Sequence, residues 1–454
     1  MILLELTYAW SFNTEIDLAR DNDAYPLPGS RVGRAMRLGG MTSGVLGGMV
    51  VTGLGQIARG QRPSVSDSFL TPSTAIRITR DLGRMRGAAM KLGQMLSMDE
   101  AAVFPPEMTE ILSRLRADAP HMPPGQLRDV LNAEWGVGWR DRFAHFDVRP
   151  FAAASIGQVH RATTHDGRDL AIKVQYPAVQ ASIDSDIDNV ATLLRLPGLL
   201  PRHLDLSPVL AEAKRQLHRE ADYANEARHL TAFKHLLEGY TLFRVPDMHT
   251  DLSTPRVLAM TYQESEPIDT LADASQGLRD HVAAELIELV LRELFEYGVM
   301  QTDPNLANYR FDPTAGRVVL LDFGAVLPIA PDLAADFRHL LNAALDRDTV
   351  AIRRAMLKIG YFDEATPRRH QAMIEQMFDT AMAPLRQMDP FDFGKADLIR
   401  KLRNMGLEMG MDEDLTQVPP PATMFLHRKI VGIYLLAARL QARVSLRPMV
   451  ERYR

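Results

Sequence analysis

The sequence predicts an α+β fold of two lobes, a strand-rich lobe followed by a helical one, behind an N-terminal helical extension. Three observations carry this. Short apolar runs bounded by turn residues begin near Phe151 and recur as far as Thr261. From Pro331 onward nearly every segment has the 3.6-residue period of an amphipathic helix, broken at Pro419, Pro420 and Pro421. Before residue 135 helical spacing dominates again. The expected boundaries are a lead-in with a glycine-rich apolar segment (1–62), the helical extension (63–135), the strand lobe (136–262) and the helical lobe (263–454).

Composition narrows the function classes. Of the 454 residues, 46% are hydrophobic and 24% charged, enough for a large core. A formal net charge of -5 gives no global reason to expect nucleic acid as a partner. The chain has no cysteine, which excludes disulfides, thiol catalysis and thiolate metal sites. Met1-Ile2-Leu3-Leu4-Glu5 lacks a basic stretch followed by an apolar core, so no cleaved secretion signal is expected. Arginine far outnumbers lysine, which makes each isolated lysine worth examining.

Taken in order, residues 38–58 form an uncharged run of 21 residues between Arg31, Arg34 and Arg37 and Arg59 and Arg62. That length can span a bilayer. Gly40, Gly44 and Gly48 repeat at the spacing that lets two helices approach closely, so membrane association and a homodimer through this face are expectations. A long helix follows at 71–99, with further helices near 107–117 and 125–135. Strands are expected at 159–164 and 170–174, joined through the Asp166-Gly167 turn. An amphipathic helix at 177–194 precedes a single long helix from Ser207-Pro208 to about 237, stopped by Gly239. Strands at 242–245 and 257–261, a helix at 281–297 stopped by Gly298, and a hairpin of 309–312 with 317–321 complete the approach to the helical lobe.

The chemistry concentrates in a few of these elements. Asp303 and Asn308 lie five residues apart, and Asp322-Phe323-Gly324 ends the next hairpin. Protein-kinase-like phosphotransferases use this arrangement to hold a magnesium–nucleotide complex. Asp303 suits a catalytic carboxylate, while Asn308 and Asp322 offer the hard oxygen donors that Mg²⁺ prefers. Lys173, in Ala171-Ile172-Lys173-Val174, sits where a lysine would reach the α/β-phosphates of ATP. Such a lysine needs a carboxylate, and the next long helix offers Glu220, Asp222 and Glu226. Asp222 and Glu226 fall on one helical face and Glu220 nearer the other. Where a glycine-rich phosphate loop would stand, the chain has Ala152-Ala153-Ala154-Ser155-Ile156-Gly157-Gln158, whose β-carbons restrict how the backbone covers phosphate. No Ala-Pro-Glu element follows Gly324, so a peptide-presenting activation segment is absent and peptide phosphorylation is not expected. On residue chemistry alone, Lys91 and Gln94 in Lys91-Leu92-Gly93-Gln94 read as surface residues sharing a helical face.

These motifs together resemble the UbiB/ADCK family of atypical kinase-like ATPases, from about residue 31 to the C-terminus. The resemblance implies a bilobal protein-kinase-like fold with the extension packed over the active site. It also implies that Lys91 and Gln94 (the KxGQ element) point into the nucleotide pocket, that Glu220 and Asp222 form the ExD element, and that Glu226 partners Lys173. ATP and Mg²⁺ are the cofactors it implies. Anionic membrane lipids, quinone-precursor lipids and a ubiquinone-biosynthesis enzyme complex are the partners. The setting is the cytoplasmic side of a bacterial inner membrane or the matrix side of the mitochondrial inner membrane. Two other readings stay open at this point: a small-molecule or lipid kinase, and a nucleotide-gated scaffold without turnover.

Overall fold

The computed structural model describes residues 121–154, 156–194, 207–303, 305–410 and 420–454. The expectations for 1–120, including the 38–58 run with Gly40, Gly44 and Gly48 and the helix bearing Lys91 and Gln94, lie outside these residues, as does Ser155. Among the described residues no helix is long and apolar enough to cross a membrane.

Among the described residues the first helix, α1 (Pro124–Trp135), has prolines at its N-terminus and stops at Gly136, whose φ of 86° is left-handed. Its buried stripe of Leu127, Val130, Leu131 and Trp135 lies on one face of an antiparallel sheet. That sheet contains β1 (Phe143–Phe146), β3 (Gly157–Thr164), β4 (Asp169–Gln175) and β6 (Val257–Thr261) in the order β1-β3-β4-β6, with β2 (Ala152–Ala154) paired along β3. Strand alternation sends Leu170, Ile172 and Val174 into the core under α1. Trp135 and Glu134 bond across to Leu252 O and Arg256, so α1, expected as the last piece of the extension, shares its core with the sheet.

The opposite face of the sheet is covered by α2 (Val179–Leu194), α3 (Ser207–Glu220) and α4 (Tyr223–Leu236). Here the structure corrects the expected single helix 207–237. The chain breaks at Ala221-Asp222, where Asp222 leaves helical backbone angles (φ -98°, ψ 84°) and its side chain caps α4 by accepting the N–H of Asn225. The amide of Gln175 donates to Ala221 O at 2.9 Å, so a strand side chain takes up a carbonyl at the break.

Strand β5 (Phe243–Arg244) pairs in parallel with β10 (Arg317–Leu320), in a second sheet with β9 (Tyr309–Asp312) and β7 (Glu266–Pro267). The helix α5 (Gln276–Arg292) widens into a π-turn at Glu293–Tyr297 and stops at Gly298, with φ 65°. Strands β8 (Val299–Gln301) and β11 (Val326–Pro328) then pair antiparallel, bringing the two ends of the motif-bearing stretch together. Helices α6 (Pro331–Asp346), α7 (Thr349–Ile359), α8 (Arg368–Met382), α9 (Leu398–Gly410), α10 (Pro421–Arg439) and α11 (Leu446–Glu451) build the rest of the helical lobe. The small pair β12 (Phe391–Asp392) and β13 (Arg443–Val444), not anticipated in the sequence, ties two of its segments together.

Candidate active site

Lys173 is almost wholly buried, 7% exposed, because both faces of β4 are covered. A strand lysine normally faces water, so this placement needs a counter-charge. Glu226, fully buried on α4, supplies it: its two oxygens accept from Lys173 Nζ at 2.7 and 2.8 Å. Asp322 Oδ2 lies 3.3 Å from the same ammonium. Burial alone would lower the lysine pKa; Asp322 and Glu226 outweigh it and hold the ammonium well above its usual value. Burial also pushes the Glu226 carboxyl up, against the pull of Lys173.

The break before α4 decides which acids reach this point. Glu226 turns inward to Lys173, whereas Asp222 is exposed and serves as a helix cap, so the two do not share the helical face expected of them. Glu220, at the end of α3, is buried beside the Asp-Phe-Gly turn. A β-carbon on Gly324 would meet Asp322 Oδ1 at 3.3 Å, Glu220 Cγ at 3.5 Å and Glu226 Oε2 at 3.6 Å. Helix α4 also holds Phe323, whose ring packs on Phe233 with centroids 4.9 Å apart, while Phe323 O accepts from His229 Nδ1 at 3.2 Å. One helix therefore positions both the partner of Lys173 and the residue after Asp322.

Asp303, Asn308 and Asp322 are joined through backbone and side-chain bonds. Thr302 N–H donates to Ala325 O at 2.8 Å, and Leu321 N–H donates to Asn308 O at 3.1 Å. The Gln301 amide donates to Asp303 O at 2.8 Å and to Asp322 O at 3.3 Å. Asn308 Nδ2 donates to Asp303 O at 3.3 Å, which leaves its amide oxygen as the acceptor available to a cation. Asp322 Oδ1 accepts the N–H of Gly324 at 2.9 Å, which fixes the carboxylate's rotation. Among the described residues no three Asp, Glu or His side chains converge as a metal cage. A donor set of one carboxylate and one amide, with phosphate and water completing the shell, fits Mg²⁺ rather than a transition metal.

The alanine-rich segment forms a tight hairpin, with Ala152 opposite Val159, Ala153 opposite Gln158 and Ala154 opposite Gly157. In two of its residues expected to contact nucleotide the side chain is buried. Ile156 is 1% exposed and belongs to the core, and Gln158 points to the sheet face opposite Lys173, where alternation must send it. There Gln158 Oε1 accepts from Met122 N at 2.8 Å and its Nε2 lies 2.9 Å from His160 Nε2. Only the backbone of these two residues can face a phosphate. Gly157 is required for packing: a β-carbon there would stand 2.4 Å from Val174 O and 2.6 Å from the Tyr223 hydroxyl.

Several residues of this site escaped the sequence reading. Gln175, two residues after Lys173, and Tyr223, next to Asp222, carry no motif of their own. Gln301 lies two residues before Asp303, and its role appears only when Asp322 is brought beside it. Lys429, fully buried on α10, donates to Gln301 Oε1 at 3.0 Å. Its only signal was the rarity of lysine, and the adjoining His427 and Arg428 made it read as part of a polar stretch.

Comparison with known proteins shows the chain's family and fold. The family described as the ABC1 atypical kinase-like domain matches residues 114–356. The Saccharomyces cerevisiae protein named Atypical kinase COQ8, mitochondrial, is 38% identical over 424 residues, covering 92% of this chain and 83% of its own length. Atypical kinase COQ8B, mitochondrial, of Rattus norvegicus is 35% identical over 438 residues, with 94% of this chain and 80% of its own length covered. Atypical kinase coq-8, mitochondrial, of Caenorhabditis elegans is 36% identical over 440 residues, 94% of this chain but 58% of its own length. Among solved structures, the Rv3197–erythromycin complex from Mycobacterium tuberculosis superposes with a TM-score of 0.56 at 26% identity. It covers 84% of this chain and 95% of that one.

Proposed function

Because the chain belongs to the ABC1 family of atypical kinase-like proteins, we propose that it is an Mg²⁺- and ATP-dependent ATPase that serves ubiquinone biosynthesis. The observation that carries this is the buried Lys173 ammonium, clasped by both Glu226 oxygens with Asp322 at 3.3 Å. A lysine so fixed is an anchor for nucleotide α/β-phosphates, and Asp322 and Asn308 would hold Mg²⁺. When bound, Mg²⁺ neutralises phosphate charge. Asp303 orients the attacking oxygen and takes its proton, while the β2–β3 hairpin covers the phosphates with backbone N–H groups. By the family resemblance Lys91 and Gln94 would close the pocket in place of a peptide substrate, and Glu220, buried beside the Asp-Phe-Gly turn, would shape its inner edge, while Asp222 of the same ExD element caps α4. The clients are anionic membrane lipids and quinone precursors, or the enzyme complex that processes them. The names of the mitochondrial relatives support a mitochondrial setting; within it we place the protein on the matrix side of the inner membrane, the cytoplasmic side of a bacterial inner membrane being the alternative.

The test measures ATP turnover of the wild-type and Asp322→Asn proteins, with and without anionic liposomes and a phenolic quinone-precursor mimic. The expected result is Mg²⁺-dependent release of free phosphate, reduced by about 100-fold or more in the variant. Nucleotide binding without hydrolysis under every condition would replace this reading with a nucleotide-gated scaffold. A phosphorylated product stoichiometric with ADP would make the protein a small-molecule or lipid kinase.

A further inference from the structure

The helical lobe contains a charged cluster with almost no access to water. Lys429 on α10 and Glu293 in the π-turn are each 1% exposed, and Tyr309 and Gln301 are 3% and 5% exposed. Lys429 Nζ donates to Gln301 Oε1 and to the Tyr309 hydroxyl, both at 3.0 Å, and lies 3.4 Å from Glu293 Oε2. A buried ion pair is a weak source of stability, since apolar residues of similar volume generally pack as well. The arrangement calls for another account.

That account lies in Gln301. An amide side chain can present either its oxygen or its NH₂ in a given direction. With the oxygen committed to the Lys429 ammonium, the NH₂ must face the other way, where its two protons meet Asp303 O at 2.8 Å and Asp322 O at 3.3 Å. The same side chain therefore pins the backbone of the catalytic-loop aspartate to that of the Asp-Phe-Gly aspartate. Rotated by half a turn, it would set its oxygen against two carbonyls and its NH₂ against an ammonium.

We propose that Lys429, held by Glu293, is a positioning residue for the reaction: it locks the Gln301 amide in the one orientation that fixes Asp303 and Asp322 relative to each other. The effect reaches the site from α10, 128 residues from Gln301. The consequence for turnover rests on the ATPase reading above, while the consequence for backbone order does not.

Lys429→Met alone leaves Glu293 buried without its cation and is expected to unfold readily, so the test uses the paired variant Lys429→Met/Glu293→Gln, which removes both charges at nearly constant volume. A second variant, Gln301→Leu, removes the amide itself. Hydrogen exchange on nucleotide-free protein reads positioning directly. Amides of 301–303 and 321–325 should exchange at least about tenfold faster in both variants, with protection of β3 and β4 unchanged. In turnover, kcat should fall by about tenfold or more while KM for ATP stays within about threefold, because loss of alignment acts on the transition state. Unchanged exchange in these segments, or a paired variant with wild-type kcat, overturns the proposal. If the wild-type protein proves not to hydrolyse ATP, the ATPase reading falls and the exchange result alone decides this one.

Discussion

The two acids facing Lys173 are not equivalent, and removing either side of the cluster should expose the difference. In Lys173→Met, Glu226 stays fully buried and loses both of its short contacts. Breaking a buried pair from one side generally costs about 3–5 kcal/mol. Glu226 can limit that cost by taking up a proton. Relative to an ordinary carboxyl pKa of 4.5, protonation at pH 7 costs about 3 kcal/mol, and the cost vanishes as the pH approaches 4.5. The sign follows: a carboxyl whose pKa is raised in the folded state binds more protons there, so its variant loses stability as pH rises. In Glu226→Gln, by contrast, Lys173 keeps Asp322 at 3.3 Å and one amide oxygen, so the loss should be about 1–2 kcal/mol. The double variant should cost less than the sum of the two single ones. Urea midpoints of nucleotide-free protein between pH 5 and 8 measure all three. Equal losses for the two single variants, or a Lys173→Met deficit that does not change with pH, would refute the assignment of Glu226 as the charge that lysine compensates.

Two further outcomes follow from the strand lobe. Gly157→Ala should destabilise by about 1–3 kcal/mol and weaken nucleotide binding, because the new methyl meets the carbonyl of Val174, whose position in β4 also sets Lys173. Thermal unfolding with and without Mg-ATP measures both effects, and Gly125→Ala, inside α1 with nothing within 4 Å, is the control, expected to stabilise by up to about 1 kcal/mol and leave nucleotide binding unchanged. His160 is buried, which lowers its pKa to about 4 although Asp147 pulls the other way. Its neutral form is the one that fits, with Nδ1–H donating to Asp147 O and Nε2 accepting from Gln158. Below the ordinary value of 6.5 the unfolded chain binds the proton first, so stability present above pH 6.5 is lost as pH falls to about 4, by up to about 3 kcal/mol. Urea midpoints across this range should show the slope in the wild type and a flatter one in His160→Asn.

Much of the site was legible because its chemistry is written in short, contiguous stretches. Asp303 with Asn308, Asp322-Phe323-Gly324, and Lys173 after a hairpin each stand out as candidates through local spacing, and the order of elements placed Glu226 among the possible partners of Lys173. The break at Ala221-Asp222 was not legible, since the apolar period runs on through it. What interrupts the helix is the Gln175 amide on Ala221 O, together with the capping carboxylate of Asp222. The outward turn of Gln158 was implicit in the alternation of β3, but its partner, the backbone of Met122, is supplied by the segment leading into α1. The strand β1 and the pair β12–β13 are too short to give a period at all.

By itself the sequence determined the class of chemistry: a lysine, carboxylates and an asparagine of the right types in the right order, and an alanine-rich hairpin in front of them. Those features are properties of neighbouring residues, and neighbours are fixed by covalent order. The tertiary structure decided which carboxylate meets Lys173, which residues of β3 share its face of the sheet, and how Asp303 is tied to Asp322. Each of these depends on side chains from distant segments competing for the same donors and charges in a space closed to water. In that space an unmatched charge or carbonyl costs more than any local preference can offset.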